Sequence, residues 1–135
     1  MSDRPVILVA DDDADILLLL SLMLERDGYD VVTARDGRDA LDAARERAPD
    51  LIVLDLMMPM LDGCAVTREL RADARTRATP VVILTAFAEE GQAAAAVAAG
   101  ADAYMKKPFS SRELLATAAS LLVQRPRAAT PERSG

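Results

Sequence analysis

Short apolar runs alternate with longer helical stretches along this chain, and the alternation limits the folds available to it. Each apolar run has the length of a buried strand, and each stretch between two runs has the length and end signals of a helix. The predicted strands are Val6–Ala10, Tyr29–Thr33, Leu51–Leu54, Val81–Leu84 and Ala103–Met105. The predicted helices are Ala14–Asp27, Asp36–Ala48, a third one through Thr67–Arg71, Glu89–Ala99 and Ser111–Gln124. Five β–α units in strict alternation predict an α/β domain with a doubly wound parallel sheet and helices on both faces.

The length of 135 residues leaves room for one domain. Hydrophobic residues make up 51% of the chain but aromatic residues only 3%, so the core must be aliphatic. Residues 125–135 contain two prolines and show no apolar periodicity. We therefore expect a folded domain over residues 1–124, followed by a disordered tail.

Charge and residue usage argue against several classes of function. The net charge of −6 disfavours direct binding of nucleic acid through bulk attraction. The longest apolar run, Ile16–Leu24, is shorter than the roughly 20 residues that span a bilayer, so we expect no membrane insertion. A single cysteine, Cys64, and the lack of an evident targeting segment indicate a cytoplasmic protein. The absence of histidine excludes Ser-His-Asp and Cys-His catalysis and His-based zinc sites.

Five polar residues directly follow predicted strands, namely Asp11, Asp12, Asp55, Thr85 and Lys107. Because the carboxyl ends of parallel strands meet at one edge of the sheet, we expect these side chains to converge there. Carboxylate oxygens suit Mg²⁺, and Asp55 is a candidate nucleophile that would form an aspartyl phosphate. Lys107 and Thr85 are suitable partners for the charge on a transferred phosphoryl group.

Each of these residues also has an ordinary structural explanation. The run Asp11–Asp13 resembles a helix N-cap with an acidic first turn, and Asp55 alone resembles a turn residue. Thr85 alone could cap a helix, and Lys107 alone could be a solvated surface charge. The joint occurrence of all five positions after strands is what favours a functional site.

Four segments together carry a resemblance to a known family. They are Ile7–Asp13, Leu54–Gly63, Val82–Ala86 and Gly100–Phe109. With these segments the chain resembles a response-regulator receiver domain of two-component signalling, of the single-domain type, over roughly Pro5 to Leu122. The resemblance implies a flavodoxin-like fold with five helices and strand order 2-1-3-4-5.

The resemblance also implies a role for each site residue. Asp55 is expected to be the phosphoacceptor, and Asp11, Asp12 and the backbone carbonyl of Met57 are expected to complete a Mg²⁺ site with it. Thr85 and Lys107 are expected to contact the phosphoryl group, and Tyr104 to act as a switch coupled to Thr85. A cis peptide is implied between Lys107 and Pro108.

The implied partners are a histidine kinase or histidine phosphotransfer protein upstream and an unknown protein target downstream. The first helix is unusually apolar, with Ile16, Leu20 and Met23 assigned to its core face. Leu18 and Leu22 fall on another face, where they predict a docking patch for the phosphodonor, or else a wide buried stripe.

Two positions beside Asp55 are apolar, Met57 and Phe87, and neither side chain can orient an attacking water. We therefore expect slow intrinsic dephosphorylation.

The sequence leaves other functions to be weighed. An Asp-based phosphatase typically carries a second Asp two residues after its nucleophile, where this chain has Met57, so we expect no enzyme of that kind. A cofactor binder is disfavoured because no glycine-rich or Ser/Thr-rich phosphate loop follows the first strand. The remaining alternatives are an interaction module that is never phosphorylated, or the receiver fragment of a larger regulator or hybrid kinase.

Overall fold

The computed structural model describes residues 4–86 and 90–124. The strands are β1 (Val6–Ala10), β2 (Asp30–Ala34), β3 (Leu51–Asp55), β4 (Val81–Thr85) and β5 (Ala103–Lys106). The helices are α1 (Ala14–Arg26), α2 (Gly37–Arg47), α3 (Gly63–Ala72), α4 (Glu90–Ala99) and α5 (Ser111–Gln124). These bounds differ from the predicted ones by at most one residue at either end, except that α3 is longer than its predicted segment. The expected tail, residues 125–135, lies outside the described residues.

All five strands are parallel, in the order β2-β1-β3-β4-β5, as predicted. β3 is therefore the central strand, and its residues are all buried. The register pairs Ala10 with Leu54, so the residues that follow β1 lie beside Asp55, the last residue of β3. Asp55 in turn pairs with Leu84 of β4. Strand order and register together place the ends of β1, β3 and β4 at the same edge of the sheet.

The hydrophobic core has two layers, one on each face of the sheet. α1 and α5 pack on one face, where their buried residues join Ile7 and Val9 of β1. α2, α3 and α4 pack on the other face, against Leu8 and Ala10 of the same strand. This alternation along β1 is the two-residue period of a strand that is covered on both sides. Among the described residues, the helices all fall short of the length and apolarity that a membrane crossing requires.

Acidic side chains cap three helices at the sheet edge where the strands end. The Asp13 carboxylate accepts hydrogen bonds from the backbone N–H groups of Asp15 and Ile16, at 2.9 and 3.3 Å. Asp36 and Asp62 cap α2 and α3 in the same way. The capping explanation is therefore correct for the third residue of the acidic run.

The core face of α1 differs from the prediction. Leu17, Leu20 and Leu24 are buried, whereas Ile16 and Met23 are half-buried at the border of this face. The helix is apolar around most of its circumference, so its sequence pattern does not fix which residues face the core. Two of the three predicted core residues are each one position away from a buried leucine.

Candidate functional site

Three aspartates converge at the edge of the sheet. Asp11 and Asp12 follow β1, and oxygens of their carboxylates lie within 4.8 Å of each other and of an oxygen of Asp55. Asp11 and Asp55 are buried, and Asp12 is exposed. The convergence expected from the sequence is therefore present, with one side of the cluster open to solvent.

Lys107 reaches into this cluster from the loop after β5. Its Nζ donates to Asp11 Oδ2 at 2.9 Å and to Asp55 Oδ1 at 3.2 Å. The backbone N–H of Lys107 donates to the Thr85 carbonyl at 2.6 Å, which ties the loop to the end of β4. The peptide between Lys107 and Pro108 is cis, as the resemblance implied.

The electrostatics of the site are dominated by excess negative charge in a buried position. Burial raises the pKa of Asp55, the charge of Asp11 raises it further, and Lys107 only partly opposes the shift. Burial alone would lower the pKa of Lys107, but its hydrogen bond to Asp11 and the charges of Asp55 and Asp11 raise it. One ammonium thus contacts two of the three carboxylates.

This donor set fits a hard divalent cation. Carboxylate oxygens are the ligands that Mg²⁺ prefers, and an added cation would relieve the repulsion that Lys107 leaves uncompensated. The other oxygen of Asp11, Oδ1, accepts from the backbone N–H of Asp13 at 2.9 Å, which orients that carboxylate. The exposed Asp12 gives the cluster a solvent-facing ligand.

The two residues of the proposed switch lie on neighbouring strands. Thr85 ends β4 and is fully buried, and Tyr104 lies in β5, half-buried against the core layer of α2, α3 and α4. In the register Tyr104 pairs with Ile83, two residues before Thr85. A coupled movement of these side chains stays a prediction.

Met57 lies in the loop after β3, with its side chain 55% exposed. This position beside Asp55 is consistent with the expected role of its backbone carbonyl, which also stays a prediction. Phe87, the second apolar residue of the dephosphorylation hypothesis, lies outside the described residues.

The predicted docking leucines lie on the surface of α1. Leu18 is 60% exposed and Leu22 is 50% exposed, so the alternative of a wide buried stripe is wrong for these two residues. The sequence analysis missed Leu19, which is exposed to the same extent as Leu22.

The sequence analysis also missed an open, largely apolar pocket of about 440 Å³ beside the site. It is lined by Ile16, Leu19, Ala86, Lys107, Pro108 and Phe109. The only signal in the sequence was an aromatic residue directly after the Lys-Pro pair. The pocket joins the exposed face of α1 to the residue that contacts both buried aspartates.

Comparisons with known proteins agree with this geometry. The profile of the response regulator receiver domain family matches residues 7–119. The chain is 48% identical over 116 residues to the alkaline phosphatase synthesis transcriptional regulatory protein PhoP of Bacillus subtilis, covering 86% of this chain and 48% of PhoP. It is 44% identical over 126 residues to the transcriptional regulatory protein PrrA of Mycobacterium tuberculosis, covering 93% of this chain and 53% of PrrA. The chain thus spans about half the length of these relatives.

Solved structures show the same fold. A putative response regulator from Chloroflexus aurantiacus superposes with a TM-score of 0.86 at 30% identity, covering 90% of this chain and 99% of that one. The receiver domain of the sensor histidine kinase PA1611 from Pseudomonas aeruginosa superposes with a TM-score of 0.83 at 33% identity, covering 88% and 98%. That receiver holds a magnesium ion in its active-site cleft. On its motifs, its fold and its relatives, this chain belongs to the response-regulator receiver domain family, whose members are the phosphoacceptors of two-component signalling.

Proposed function

We propose that this chain accepts a phosphoryl group on Asp55 from a histidine kinase or a histidine phosphotransfer protein, and then signals to a protein partner. The observation that carries the proposal is the position of Asp55. This carboxylate is buried at the end of the central strand, within 4.8 Å of two further aspartates and 3.2 Å from the Lys107 ammonium. A carboxylate held in this way can act as a nucleophile. The Lys107 ammonium partly compensates its charge, and the other two aspartates form a proposed cation site next to it.

The proposed reaction transfers the phosphoryl group between the two proteins. An Asp55 oxygen forms a bond to phosphorus, the bond from phosphorus to the imidazole nitrogen of the partner breaks, and that nitrogen keeps the electron pair. Asp55 reacts as the carboxylate, so Lys107 supports the reaction by opposing the burial that raises the pKa of Asp55. Phosphorylation should therefore fall as the pH drops through this raised pKa.

A Mg²⁺ ion held by Asp11, Asp12, Asp55 and the Met57 carbonyl would supply positive charge facing the phosphoryl oxygens. Lys107 would shift one of its hydrogen bonds from Asp55 to the phosphoryl group, and its contacts with both buried aspartates support this role. The Thr85 hydroxyl would bind a further phosphoryl oxygen.

The proposed output is a change in packing near β4 and β5. As Thr85 moves toward the phosphoryl group, Tyr104 turns inward, and the surface of α4, β5 and α5 changes shape for the downstream protein. Phosphorylation acts here as a population shift between two packings that a local charge change biases. The chain in this proposal is a cytoplasmic signalling domain, neither an enzyme for a separate substrate nor a direct DNA binder.

The phosphoacceptor proposal is tested with a small phosphodonor. Incubation with acetyl phosphate and Mg²⁺ should add one phosphoryl group of about 80 Da, with the modified peptide containing Asp55. Asp55→Asn should abolish the gain in mass, whereas Asp50→Asn, on another buried aspartate next to β3, should retain it. A wild-type chain that stays unmodified under these conditions would support the alternative of a non-phosphorylated interaction module.

We propose that the phosphodonor docks on the exposed leucines of α1, Leu18 and Leu22, and on the adjacent apolar pocket. Leu18→Glu should reduce phosphotransfer from the donor protein by about tenfold or more, since a charge in an apolar interface costs a few kcal/mol. Val97→Glu on α4 is the matched control, because Val97 is 67% exposed and lies on the opposite face of the sheet. Labelling by acetyl phosphate should be unchanged in both variants, and an equal loss from both donors in Leu18→Glu would contradict docking.

A further inference from the structure

The loop that joins β3 to α3, residues 56–62, is fixed at both of its ends. The Leu56 N–H donates to the Leu84 carbonyl at 2.7 Å, and the Gly63 N–H donates to the Leu56 carbonyl at 2.8 Å. Within the loop, Met60 has a φ of 72°, a left-handed conformation that residues with a side chain rarely adopt. Such a conformation persists only where surrounding contacts determine it. Contacts with neighbouring segments therefore hold the loop in this conformation, against the backbone preference of Met60.

The neighbour on the outer side of this loop is Gly37, the first residue of α2. A Cβ atom at Gly37 would lie 2.1 Å from the Leu61 carbonyl oxygen and 2.6 Å from the Leu61 Cβ. The Gly37 N–H also donates to the Pro59 carbonyl at 3.3 Å. The backbone of the loop thus rests directly on the start of α2, at a distance that only glycine permits.

A side chain at Gly37 would have to displace backbone atoms. The atom it meets first belongs to the main chain of Leu61, which cannot rotate away as the end of a flexible side chain can. Since the other end of the loop is bonded to β4 through Leu56, the displacement would be taken up by the residues between, and these include Met57. The effect would reach the phosphorylation site without a change in any acidic residue.

We infer that Gly37 is a positioning residue for the phosphorylation site: the missing side chain sets the position of the β3–α3 loop, and with it the Met57 backbone carbonyl, which belongs to the proposed Mg²⁺ site. This inference rests on the proposed function, because it concerns a ligand of the proposed Mg²⁺ site. Gly37 lies in α2, outside the Mg²⁺ site, and yet influences the geometry of that site.

The chain offers a matched control for this inference. Gly91 is also a helical glycine, in α4, and a Cβ atom there would meet nothing within 4 Å. Gly37→Ala and Gly91→Ala therefore make the same chemical change in a helix, one against the loop backbone and one into open space. Gly63→Ala is a second test variant, because its Cβ would lie 2.8 Å from the Asp55 carbonyl oxygen and 3.1 Å from the Leu56 Cα at the inner end of the loop.

The measurement is the affinity for Mn²⁺, used as a probe for Mg²⁺, from the free-ion signal in electron paramagnetic resonance. Gly37→Ala should weaken binding by about tenfold or more, as changes that misplace metal ligands typically do. The Mg²⁺ concentration for half-maximal labelling by acetyl phosphate should rise by the same factor. A purely structural role would lower the fraction of protein that can be labelled and leave this midpoint unchanged. Gly91→Ala should match the wild type in both measurements, and Gly63→Ala should follow Gly37→Ala.

Unchanged Mn²⁺ affinity in a folded Gly37→Ala variant would overturn the inference. Failure of that variant to fold, even with trimethylamine N-oxide as a stabilising osmolyte, would also overturn it, because Gly37 would then maintain the fold as a whole. A wild-type chain that binds no Mn²⁺ would overturn the proposed function itself, so the two failures are distinguishable.

Discussion

Replacing Lys107 by methionine should expose how strongly the acidic cluster opposes folding. The substitution keeps most of the side-chain volume but removes the ammonium that donates to Asp11 at 2.9 Å and to Asp55 at 3.2 Å. Both carboxylates are almost completely buried, and the Lys107 side chain is 18% exposed. Lys107→Met therefore leaves neighbouring negative charges without a cation in a poorly solvated position.

The magnitude follows from the distances. Two unit charges within 4.8 Å of each other repel by at least about 3.5 kcal/mol at an effective dielectric constant of about 20. Breaking a buried ion pair from one side costs about 3–5 kcal/mol, and partial solvation of Lys107 reduces this. We expect Lys107→Met to lower the free energy of unfolding by about 2–3 kcal/mol at neutral pH without divalent ions.

The pH dependence has a definite sign. Asp55 has a raised pKa in the folded state, so its contribution to stability is present below its unfolded pKa and is lost as the pH rises through the folded value. Removing Lys107 removes an influence that lowers the pKa of Asp55, so that pKa should rise further in the variant. The destabilisation should therefore be largest at neutral pH and should shrink on acidification, as Asp55 takes up its proton.

The assay is urea unfolding in the presence of a chelator, at about pH 7 and about pH 4.5. Lys106→Met, at the exposed neighbouring lysine, is the control and should change stability by less than about 0.5 kcal/mol. In an Asp55→Asn background the cost of Lys107→Met should drop, because one of the two partners is gone. Mg²⁺ should stabilise Lys107→Met more than the wild type, because in this variant the ion does not compete with the Lys107 ammonium for the carboxylates. Equal stability of Lys107→Met and wild type at neutral pH, or a loss independent of pH, would refute this reasoning.

Three further predictions concern single positions. Asp55→Asn should stabilise the protein at neutral pH without divalent ions, because burial and Asp11 raise the pKa of Asp55; thermal unfolding should show a gain that vanishes below about pH 4. Ala48→Gly should raise the free energy of unfolding by about 0.5–1 kcal/mol, because Ala48 caps the end of α2 with a φ of 45°, a left-handed conformation that glycine adopts more easily. A urea midpoint at or below that of the wild type would contradict this. Met57→Asn should speed loss of the phosphoryl group by about tenfold, because an amide can orient the attacking water; decay followed by mass spectrometry should show no change for Met60→Asn.

Much of the fold could be predicted because each strand is a compact apolar run bounded by helix signals. Asp11, Asp55 and Lys107 could be placed together because each lies at or just after the end of a strand, and the ends of parallel strands share one edge. The face of α1 could be predicted only in part. Leucines occupy so many of its positions that Leu17 and Leu24 could not be told from their neighbours by period alone.

Contacts between distant backbone segments could not be predicted. The Arg71 side chain donates to the carbonyl of Gly100 and to that of Thr79, which joins the loop before β5 to the loop before β4. Gly37 lies against Leu61, which belongs to a different loop. No hydrophobic period or local spacing in the sequence marks these contacts, because the partner of a main-chain carbonyl depends on which segments the fold brings together.

The division of the helices between the two faces of the sheet has a consequence for how partner proteins contact this small domain. The exposed leucines lie on α1 and the exposed Val97 on α4, with the whole thickness of the sheet between them. A contact with the exposed leucines of α1 therefore uses none of the residues that α4 presents on the other side of the sheet.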